Sequence, residues 1–300
     1  MGHVDHGKTT LLDTIRKSSL TKKEAGGITQ TIGAYQIEKF GKKITFIDTP
    51  GHEAFTEMRA NGSKVTDIVI IVVAADDSIM PQTRESIDHA KAAGVPIIVA
   101  VNKMDTIGAD FEKVKNDLVK LDVIAEDLGG TVPFVPISAL KGDGIDKLIE
   151  TVLLTASLEE LKSPENILAS GTVIESNIHK QKGNLVTVIV QNGTLKVGDS
   201  IIIDDFTGRI KSMNDELGKR ITDATPGTPL EIYGIGNAPI AGSKFVVTKD
   251  KDSQKIADII HFARLNKLRK RKNFSALDLF SQIANAKKTF NVILKADAIG

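Results

Sequence analysis

The first residues of the chain have the spacing of a phosphate-binding loop. Two glycines, Gly2 and Gly7, bracket four residues and are followed at once by Lys8 and Thr9. Such a loop turns successive backbone N–H groups toward phosphate oxygens, and the helix behind it adds the positive end of its dipole. The lysine would reach the β- and γ-phosphates, and the Thr9 hydroxyl would bind Mg²⁺. The predicted nucleotide contacts in this loop are Asp5, His6, Gly7, Lys8, Thr9 and Thr10.

A second motif would recognise the base of the same ligand. Asn102-Lys103-Met104-Asp105 follows the apolar run 95–101, which has the composition of a buried parallel strand. A carboxylate at Asp105 can accept hydrogen bonds from guanine N1–H and from the exocyclic amine, whereas adenine lacks that pair of donors. Ser138-Ala139-Leu140 follows a further strand, 132–137, so its backbone N–H groups are placed to contact guanine O6. The base is therefore predicted to be guanine.

Between these motifs lies a segment that can respond to the γ-phosphate. Asp48-Thr49-Pro50-Gly51-His52 follows the strand-like run 43–47. Asp48 would hold Mg²⁺ through its water shell, and the Gly51 N–H can meet the γ-phosphate only while that group is present. Upstream, Thr29 stands in a glycine-rich segment suited to a loop that closes on the metal. The predicted metal ligands are thus Thr9, Thr29 and Asp48, and the motifs together indicate a GTP site.

The segments around the motifs alternate between strands and helices. Runs 35–40 and 43–48 flank Gly41-Lys42 as a hairpin, and 67–74 has the pattern of a continuous apolar strand. The segments with helical spacing are 83–93, 111–121 and 145–161. This alternation predicts an α/β P-loop GTPase domain, doubly wound with a mostly parallel sheet, over residues 1–163.

From residue 169 the pattern changes from helical to alternating. The short alternating runs are 171–176, 184–191, 200–204, 209–213, 229–235 and 243–247. Asn192-Gly193 between two of them predicts a hairpin. Short strands at near-regular spacing indicate a small all-β barrel over residues 168–250. Residues 251–300 return to helix and then strand, which predicts a helical linker and the incomplete start of an α/β third domain.

Composition and charge limit the function classes. The formal net charge is +1, so RNA binding would have to come from local patches. The run 267–272 carries five positive charges in six residues and is either a phosphate-binding patch or an ordinary solvated surface. The chain has no cysteine, which excludes disulfides and thiolate zinc sites. No apolar run approaches the roughly 20 residues of a membrane helix, so a soluble cytoplasmic protein is expected.

These residues resemble the translational GTPases. His-Val-Asp-His-Gly-Lys-Thr at 3–9 and Asp-Thr-Pro-Gly-His at 48–52 are similar to the motifs of that group. Within the group, the chain resembles the bacterial initiation factor 2 family along its whole length, most closely at 1–13, 26–30, 51–55, 73–83, 190–199 and 294–300.

The resemblance implies partners and one further ion. The ribosome would be bound through its small subunit, which the barrel contacts, and through the GTPase-activating region of its large subunit. Initiator transfer RNA would bind only through a carboxyl-terminal domain that is not in this sequence. A monovalent cation near Asp5 is also implied.

Motifs and resemblance together predict a GTP-hydrolysing translation factor that acts in initiation-complex assembly and subunit joining. Water would attack the γ-phosphate in line, Mg²⁺, Lys8 and the loop N–H groups would offset the developing charge, and His52 would orient the water. No arginine finger is evident in the sequence, so hydrolysis is expected to be slow until the ribosome completes the site. Two alternatives are a nucleotide-gated ribosome-binding module with negligible hydrolysis and an ATP-dependent transferase, which Asp105 disfavours.

Further chain is expected on both sides of this sequence. A phosphate loop normally follows directly after a strand. In the parallel sheet, that strand would lie between the strand ending at Asp48 and the one starting near Ile68. We therefore expect a strand directly before Met1 and further domains after Gly300. The segment alone is expected to bind GTP poorly, and roughly 10 upstream residues, enough for a strand and its turn, are expected to restore binding.

Overall fold

The computed structural model describes residues 1–16, 33–49, 56–77, 79–179, 183–204, 206–248, 255–260 and 298–299. The chain divides into two compact units, one with residues 1–164 and 226–229 and one with residues 165–225 and 230–299. None of the described helices is long and apolar enough to cross a bilayer.

The first unit alternates helices and strands. Its helices are α1 (Lys8–Arg16), α2 (Thr56–Val65), α3 (Pro81–Ala93), α4 (Phe111–Val119) and α5 (Ile145–Leu158). Its strands are β1 (Ala34–Lys39), β2 (Lys42–Ile47), β3 (Val69–Ala74), β4 (Ile97–Asn102) and β5 (Phe134–Pro136). Strands β3, β4 and β5 are parallel in that order, whereas β1 and β2 form an antiparallel hairpin. The predicted α/β class is confirmed for this unit.

Both faces of the parallel sheet are covered, which explains why β3 and β4 are apolar throughout. Val72, Ile98 and Ala100 belong to a core cluster with residues of α1 and α5. Their neighbours Ile71 and Val99 belong to a second cluster with residues of α3 and α4. Successive side chains of a strand point to opposite faces, and each fully buried aliphatic side chain stabilises the fold by about 1.5–3 kcal/mol.

Met1 lies beside β3. Its amino group donates to the Ile70 carbonyl at 2.7 Å, and its carbonyl accepts from the Val72 N–H at 2.9 Å. The strand expected before Met1 concerns residues outside the sequence and stays an expectation.

Helix α5 ends earlier than its apolar pattern predicts. The prediction extends to Leu161, whereas the helix ends at Leu158. Glu160 has a φ of 48°, a left-handed conformation that a continuing right-handed helix does not allow.

Apart from the helical residues 255–260, the described part of the second unit is a mainly antiparallel β structure, as predicted. Its strands are β6 (Ser170–His179), β7 (Gly183–Asn192), β8 (Leu195–Lys196), β9 (Ser200–Ile203), β10 (Phe206–Arg209), β11 (Ser212–Asp215), β12 (Arg220–Ile221), β13 (Asp223–Ala224), β14 (Pro229–Tyr233), β15 (Lys244–Thr248) and β16 (Ala298–Ile299). The main sheet has the order β10-β9-β15-β6-β7-β14-β11-β12, and β16 pairs with β6. A Cβ on Gly171 would lie 2.0 Å from the Ile189 carbonyl oxygen, so the bulge in β6 tolerates only glycine there.

The predicted hairpin at Asn192-Gly193 is wrong. Gly193 does turn the chain, with a φ of 70°. The strand that follows, β8, pairs with β13 and not with β7. Both edges of β7 are already occupied by β6 and β14, so the chain must leave this sheet after the turn.

Most of the predicted third-domain segment 251–300, including the basic run 267–272, falls outside the described residues. Residues 255–260 are helical, and β16 is the only other described part of 251–300. Both interpretations of the basic run stay predictions.

Candidate functional site

The phosphate loop leads directly into α1. Val4–His6 form a short 3-10 turn, Gly7 follows with a φ of 82°, and the helix begins at Lys8. A Cβ on Gly7 would lie 2.4 Å from the amide nitrogen of Asn102. This position requires glycine for its backbone conformation and for the close approach of Asn102.

Lys8 places its ammonium group inside the loop. The Nζ atom donates to the carbonyl of His3, and the side chain is buried. Burial lowers the pKa of Lys8 to about 8, with Asp48 opposing the shift and Arg59 adding to it. At pH 7 the amine therefore keeps its proton and offers a positive charge to a phosphate.

His6 is turned away from the loop opening and into the protein. It is completely buried, with Nδ1 3.3 Å from the Val72 carbonyl and Nε2 3.5 Å from Asp77. Burial lowers the pKa of this imidazole below 6.5, so the ring is neutral at pH 7. A contact from His6 to a nucleotide would therefore use its backbone. Asp5, by contrast, is exposed.

Asn102 joins the phosphate loop to the predicted base-binding loop. Its Nδ2 donates to the His6 carbonyl at 2.9 Å, and its Oδ1 accepts from the Ala139 N–H at 2.9 Å. The side chain is 2% exposed, so neither bond competes with bulk water. Asn102 therefore acts in this structure as a connector between two loops.

Asp105 lies beside Ser138 at the rim of a cavity. Its Oδ1 accepts from the Ser138 hydroxyl at 2.7 Å, and this hydrogen bond lowers the pKa of the carboxyl group. The carboxylate is thus ionised at pH 7 and held in one orientation. The cavity has a volume of about 230 Å³ and is lined by Gly7, Thr10, Asn102, Lys103, Asp105, Thr106, Ala139 and Leu140. Residues of the predicted phosphate and base motifs therefore line one cavity.

The backbone N–H groups predicted to meet guanine O6 are not equivalent. Those of Ser138 and Ala139 donate within the protein, to Asp143 and to Asn102. No such bond is found for the Leu140 N–H among the described residues. A guanine O6 would therefore accept a hydrogen bond from the Leu140 N–H. Alternatively, it would accept from the Ala139 N–H, which would then give up its hydrogen bond to Asn102 Oδ1.

The predicted metal ligands are only partly described. Thr9 lies in the first turn of α1, and Asp48 directly follows β2. Asp48 is close enough to Lys8 for its negative charge to oppose the lowering of the Lys8 pKa by burial. A hydroxyl and a carboxylate are hard oxygen donors, which fits Mg²⁺. Thr29, Gly51 and His52 lie outside the described residues, so their roles stay predictions.

An ion pair between a buried arginine and a half-buried glutamate, next to this site, was missed by the sequence analysis. Arg59 of α2 has no exposed surface, and its Nη2 lies 2.8 Å from both carboxylate oxygens of Glu85 on α3. Thr56 and His89 add further contacts, to Arg59 at 3.2 Å and to Glu85 at 3.3 Å. Only the helical spacing of Glu85 and His89 is visible in the sequence, and it does not indicate Arg59. The pair ties α3 to α2, which begins four residues after His52 in sequence.

Glu85→Gln is expected to lower the free energy of unfolding by about 3 kcal/mol at pH 7, because it removes the carboxylate charge that faces both hydrogen bonds of the buried Arg59 Nη2. Burial alone would raise the pKa of Glu85, but the hydrogen bonds from Arg59 and Thr56 outweigh it and hold the pKa below 4.5. The stabilisation is therefore present above pH 4.5 and lost as the pH falls through the folded-state pKa. Urea unfolding of both proteins across this range measures the difference in unfolding free energy, which should shrink in acid.

The control is Glu112→Gln. The partner of Glu112, Lys115, lies at 3.0 Å, but the Glu112 side chain is 69% exposed. An equal loss of unfolding free energy in Glu112→Gln would contradict the account.

Comparison with known proteins identifies two domain families in this chain. Residues 1–157 match the Elongation factor Tu GTP binding domain, and residues 168–248 match Elongation factor G domain 2. Over 303 residues the chain is 54% identical to Translation initiation factor IF-2 of Staphylococcus epidermidis and 53% identical to that of Bacillus licheniformis. Each match covers 100% of this chain and 42% of the relative, so the chain spans less than half the length of these relatives.

Two solved structures are also similar. GDP-bound aIF5B from Aeropyrum pernix has a TM-score of 0.69 and 25% identity, over 87% of this chain and 55% of that one. Elongation factor SelB from Methanococcus maripaludis, in complex with the GTP analogue GPPNHP, has a TM-score of 0.64 and 25% identity, over 83% and 54%. The predicted resemblance to the bacterial initiation factor 2 family is confirmed. Because the GTP-binding model matches more than half of the residues, the chain belongs to the translational GTPase family that shares the elongation factor Tu GTP-binding domain.

Proposed function

We propose that this chain is the GTP-binding and GTP-hydrolysing part of a bacterial translation initiation factor. Its GTP-binding domain would comprise residues 1–163, its β-barrel 168–250, and the start of a third domain 251–300. The main support for the proposal is the pair of hydrogen bonds that Asn102 makes to His6 and Ala139. These bonds connect the phosphate loop and the base loop beside one cavity. That arrangement suits a ligand with phosphates at one end and a base at the other.

Asp105 and the neighbouring loop would select guanine. The ionised carboxylate would accept from guanine N1–H and from the exocyclic amine, with Ser138 holding it in place. Lys103 and Thr10 line the same cavity and would pack against the base and sugar. GTP and GDP are therefore the proposed ligands.

Hydrolysis would follow from how the chain holds the γ-phosphate. Lys8, the loop N–H groups and the Gly51 N–H would bind its oxygens, and His52 would orient the attacking water in line. Thr9, Thr29 and Asp48 would hold Mg²⁺, which would neutralise phosphate charge when bound. A monovalent cation near Asp5 would also offset negative charge on the phosphates. Turnover would be slow alone and faster on the ribosome.

The proposed partner is the ribosome in the cytoplasm. The chain would act in initiation-complex assembly and subunit joining, contacting the small subunit and the GTPase-activating region of the large subunit. Initiator transfer RNA would bind only through a domain outside this sequence.

His52→Ala tests this function. We expect GTP binding to stay nearly intact while ribosome-stimulated hydrolysis falls at least tenfold, as for a group that acts only in the transition state. Phosphate release with and without ribosomes, beside a GTP titration, measures both quantities. The matched control is His89→Ala, which removes a histidine of α3 that contacts Glu85 at 3.3 Å and belongs to none of the predicted nucleotide motifs. Unchanged stimulated turnover would remove His52 from catalysis, and wild-type protein with no stimulated turnover would favour the nucleotide-gated binding module.

A further inference from the structure

The side chain of Tyr35 on β1 buries a polar group in the core of the first unit. Tyr35 is 4% exposed and belongs to the core cluster that contains Leu11 and Ile15 of α1. Its hydroxyl oxygen is buried and has no hydrogen-bond partner among the residues that the structure describes. Burying such a hydroxyl destabilises a protein, because the group loses its hydrogen bonds to water. Its surroundings must therefore explain why it is there.

The β1–β2 hairpin places Tyr35 on the same face as Asp48. Tyr35 pairs with Phe46, and the pairing continues to Gly33, whose carbonyl accepts from the Asp48 N–H at 2.7 Å. Alternate residues of a strand face the same side, so Asp48 follows Phe46 on the face that carries Tyr35. Side chains at such diagonal positions lie about 7–8 Å apart, within reach of an aromatic residue. The Tyr35 hydroxyl is thus placed to meet the Asp48 carboxylate.

The charges around the hydroxyl agree with this placement. Burial raises the pKa of the Tyr35 phenol, and the negative charge of Asp48 raises it further. Arg16 opposes this rise, and Asp13 adds to it by a smaller amount than Asp48. Asp48 is therefore the charged group with the largest influence on the hydroxyl.

Other contacts fix the ring of Tyr35. The ring stacks on Phe46 at a centroid distance of 5.6 Å, and the Arg16 guanidinium carbon lies 4.6 Å from the ring centroid. Neither contact uses the hydroxyl group. A phenylalanine at this position could make both of them, so the hydroxyl can be removed without removing the contacts that hold the ring.

We propose that Tyr35 is a positioning residue for the Mg²⁺ site, with its hydroxyl donating to the Asp48 carboxylate when the nucleotide and its metal are bound. The inference rests on the proposed function, in which Asp48 holds Mg²⁺ through its water shell. A carboxylate can accept at both oxygens, so one can face a metal-bound water while the other accepts from Tyr35. Carboxylates at metal sites are commonly oriented by such hydrogen bonds.

Tyr35→Phe tests the proposal by removing the hydroxyl alone. Release of a fluorescent GDP analogue from the whole chain is measured over a range of Mg²⁺ concentrations. We expect the Mg²⁺ concentration that slows release half-maximally to rise about tenfold in the variant. Release in EDTA should be the same in variant and wild type, because Tyr35 is not among the predicted nucleotide contacts.

The melting temperature separates positioning from a structural role. In EDTA, Tyr35→Phe should melt at or above the temperature of wild type, because the change removes a buried hydroxyl that no described residue satisfies. With GDP and Mg²⁺, the increase in melting temperature should be smaller in the variant than in wild type. The matched control is Tyr233→Phe, which changes the other tyrosine of the chain, whose hydroxyl donates to Glu231 at 3.1 Å. This control should leave the response to Mg²⁺ unchanged.

Several results would overturn the inference. An equal Mg²⁺ response in wild type and Tyr35→Phe, or an equal loss in Tyr233→Phe, would show that the Tyr35 hydroxyl does not act on the metal site. A lower melting temperature of Tyr35→Phe in EDTA would show that the hydroxyl already stabilises the metal-free fold. Wild-type protein whose GDP release does not respond to Mg²⁺ would overturn the proposed metal site together with this inference.

Discussion

Asp105→Asn is expected to weaken GTP binding by several kcal/mol, on the order of a hundredfold or more, and to make xanthosine triphosphate the better ligand. The carboxylate offers two acceptors to the guanine edge, whereas the amide replaces one of them by N–H₂. That donor faces the exocyclic amine of guanine but can donate to the carbonyl oxygen of xanthine at the same position. The Ser138 hydroxyl, 2.7 Å from Oδ1, can still donate to the amide oxygen, so the side chain should keep its orientation.

Competition between the two nucleotides in wild type and variant measures the switch. Asp110→Asn is the matched control, because Asp110 caps α4 by accepting from the Lys113 N–H, and asparagine caps a helix about as well. Equal GTP affinity in wild type and Asp105→Asn would remove the 102–105 motif as the base reader.

Asn102→Ala is expected to cost about 2–6 kcal/mol, because it leaves the His6 carbonyl and the Ala139 N–H buried without partners, at about 1–3 kcal/mol each. The loss should appear in the free energy of unfolding and in GTP affinity, since the phosphate loop and the base loop no longer hold one another. Calorimetric GTP titration and urea unfolding measure the two effects.

Asn102→Asp separates the two hydrogen bonds. It keeps the acceptor for the Ala139 N–H but removes the donor to His6, so GTP affinity should be reduced in this variant too. Asn116→Ala on the exposed face of α4 is the control and should change neither quantity. GTP affinity and stability equal to wild type in Asn102→Ala would show that the loops keep their positions without this side chain.

Local patterns predicted much of the first unit. Strands β3 and β4 are continuous apolar runs because helices cover both faces of the sheet, and such runs can be recognised without knowing the partners. The motifs at Lys8 and Asp105 could be recognised for a similar reason, since their chemistry depends on spacing within a few residues.

Contacts between distant segments could not be predicted in this way. Asn102 meets His6 and Ala139 across 96 and 37 residues, and Arg59 meets Glu85 across 26. The turn at Asn192-Gly193 gave a wrong hairpin because strand pairing depends on which edges are free, and the edges of β7 are filled by β6 and β14. Turn chemistry specifies a change of direction, not the next partner.

We propose above all that this chain binds a guanine nucleotide through the cavity between the two loops. The most direct test is displacement of a fluorescent GDP analogue from the chain by GTP, GDP and ATP in parallel titrations. The ratio of affinities is the readout, because it does not depend on how tightly the segment binds nucleotides in absolute terms. We expect GTP and GDP to displace the analogue. ATP is expected not to displace it even at about a hundredfold higher concentration than GTP. Displacement by ATP at the same concentrations as GTP would contradict the account.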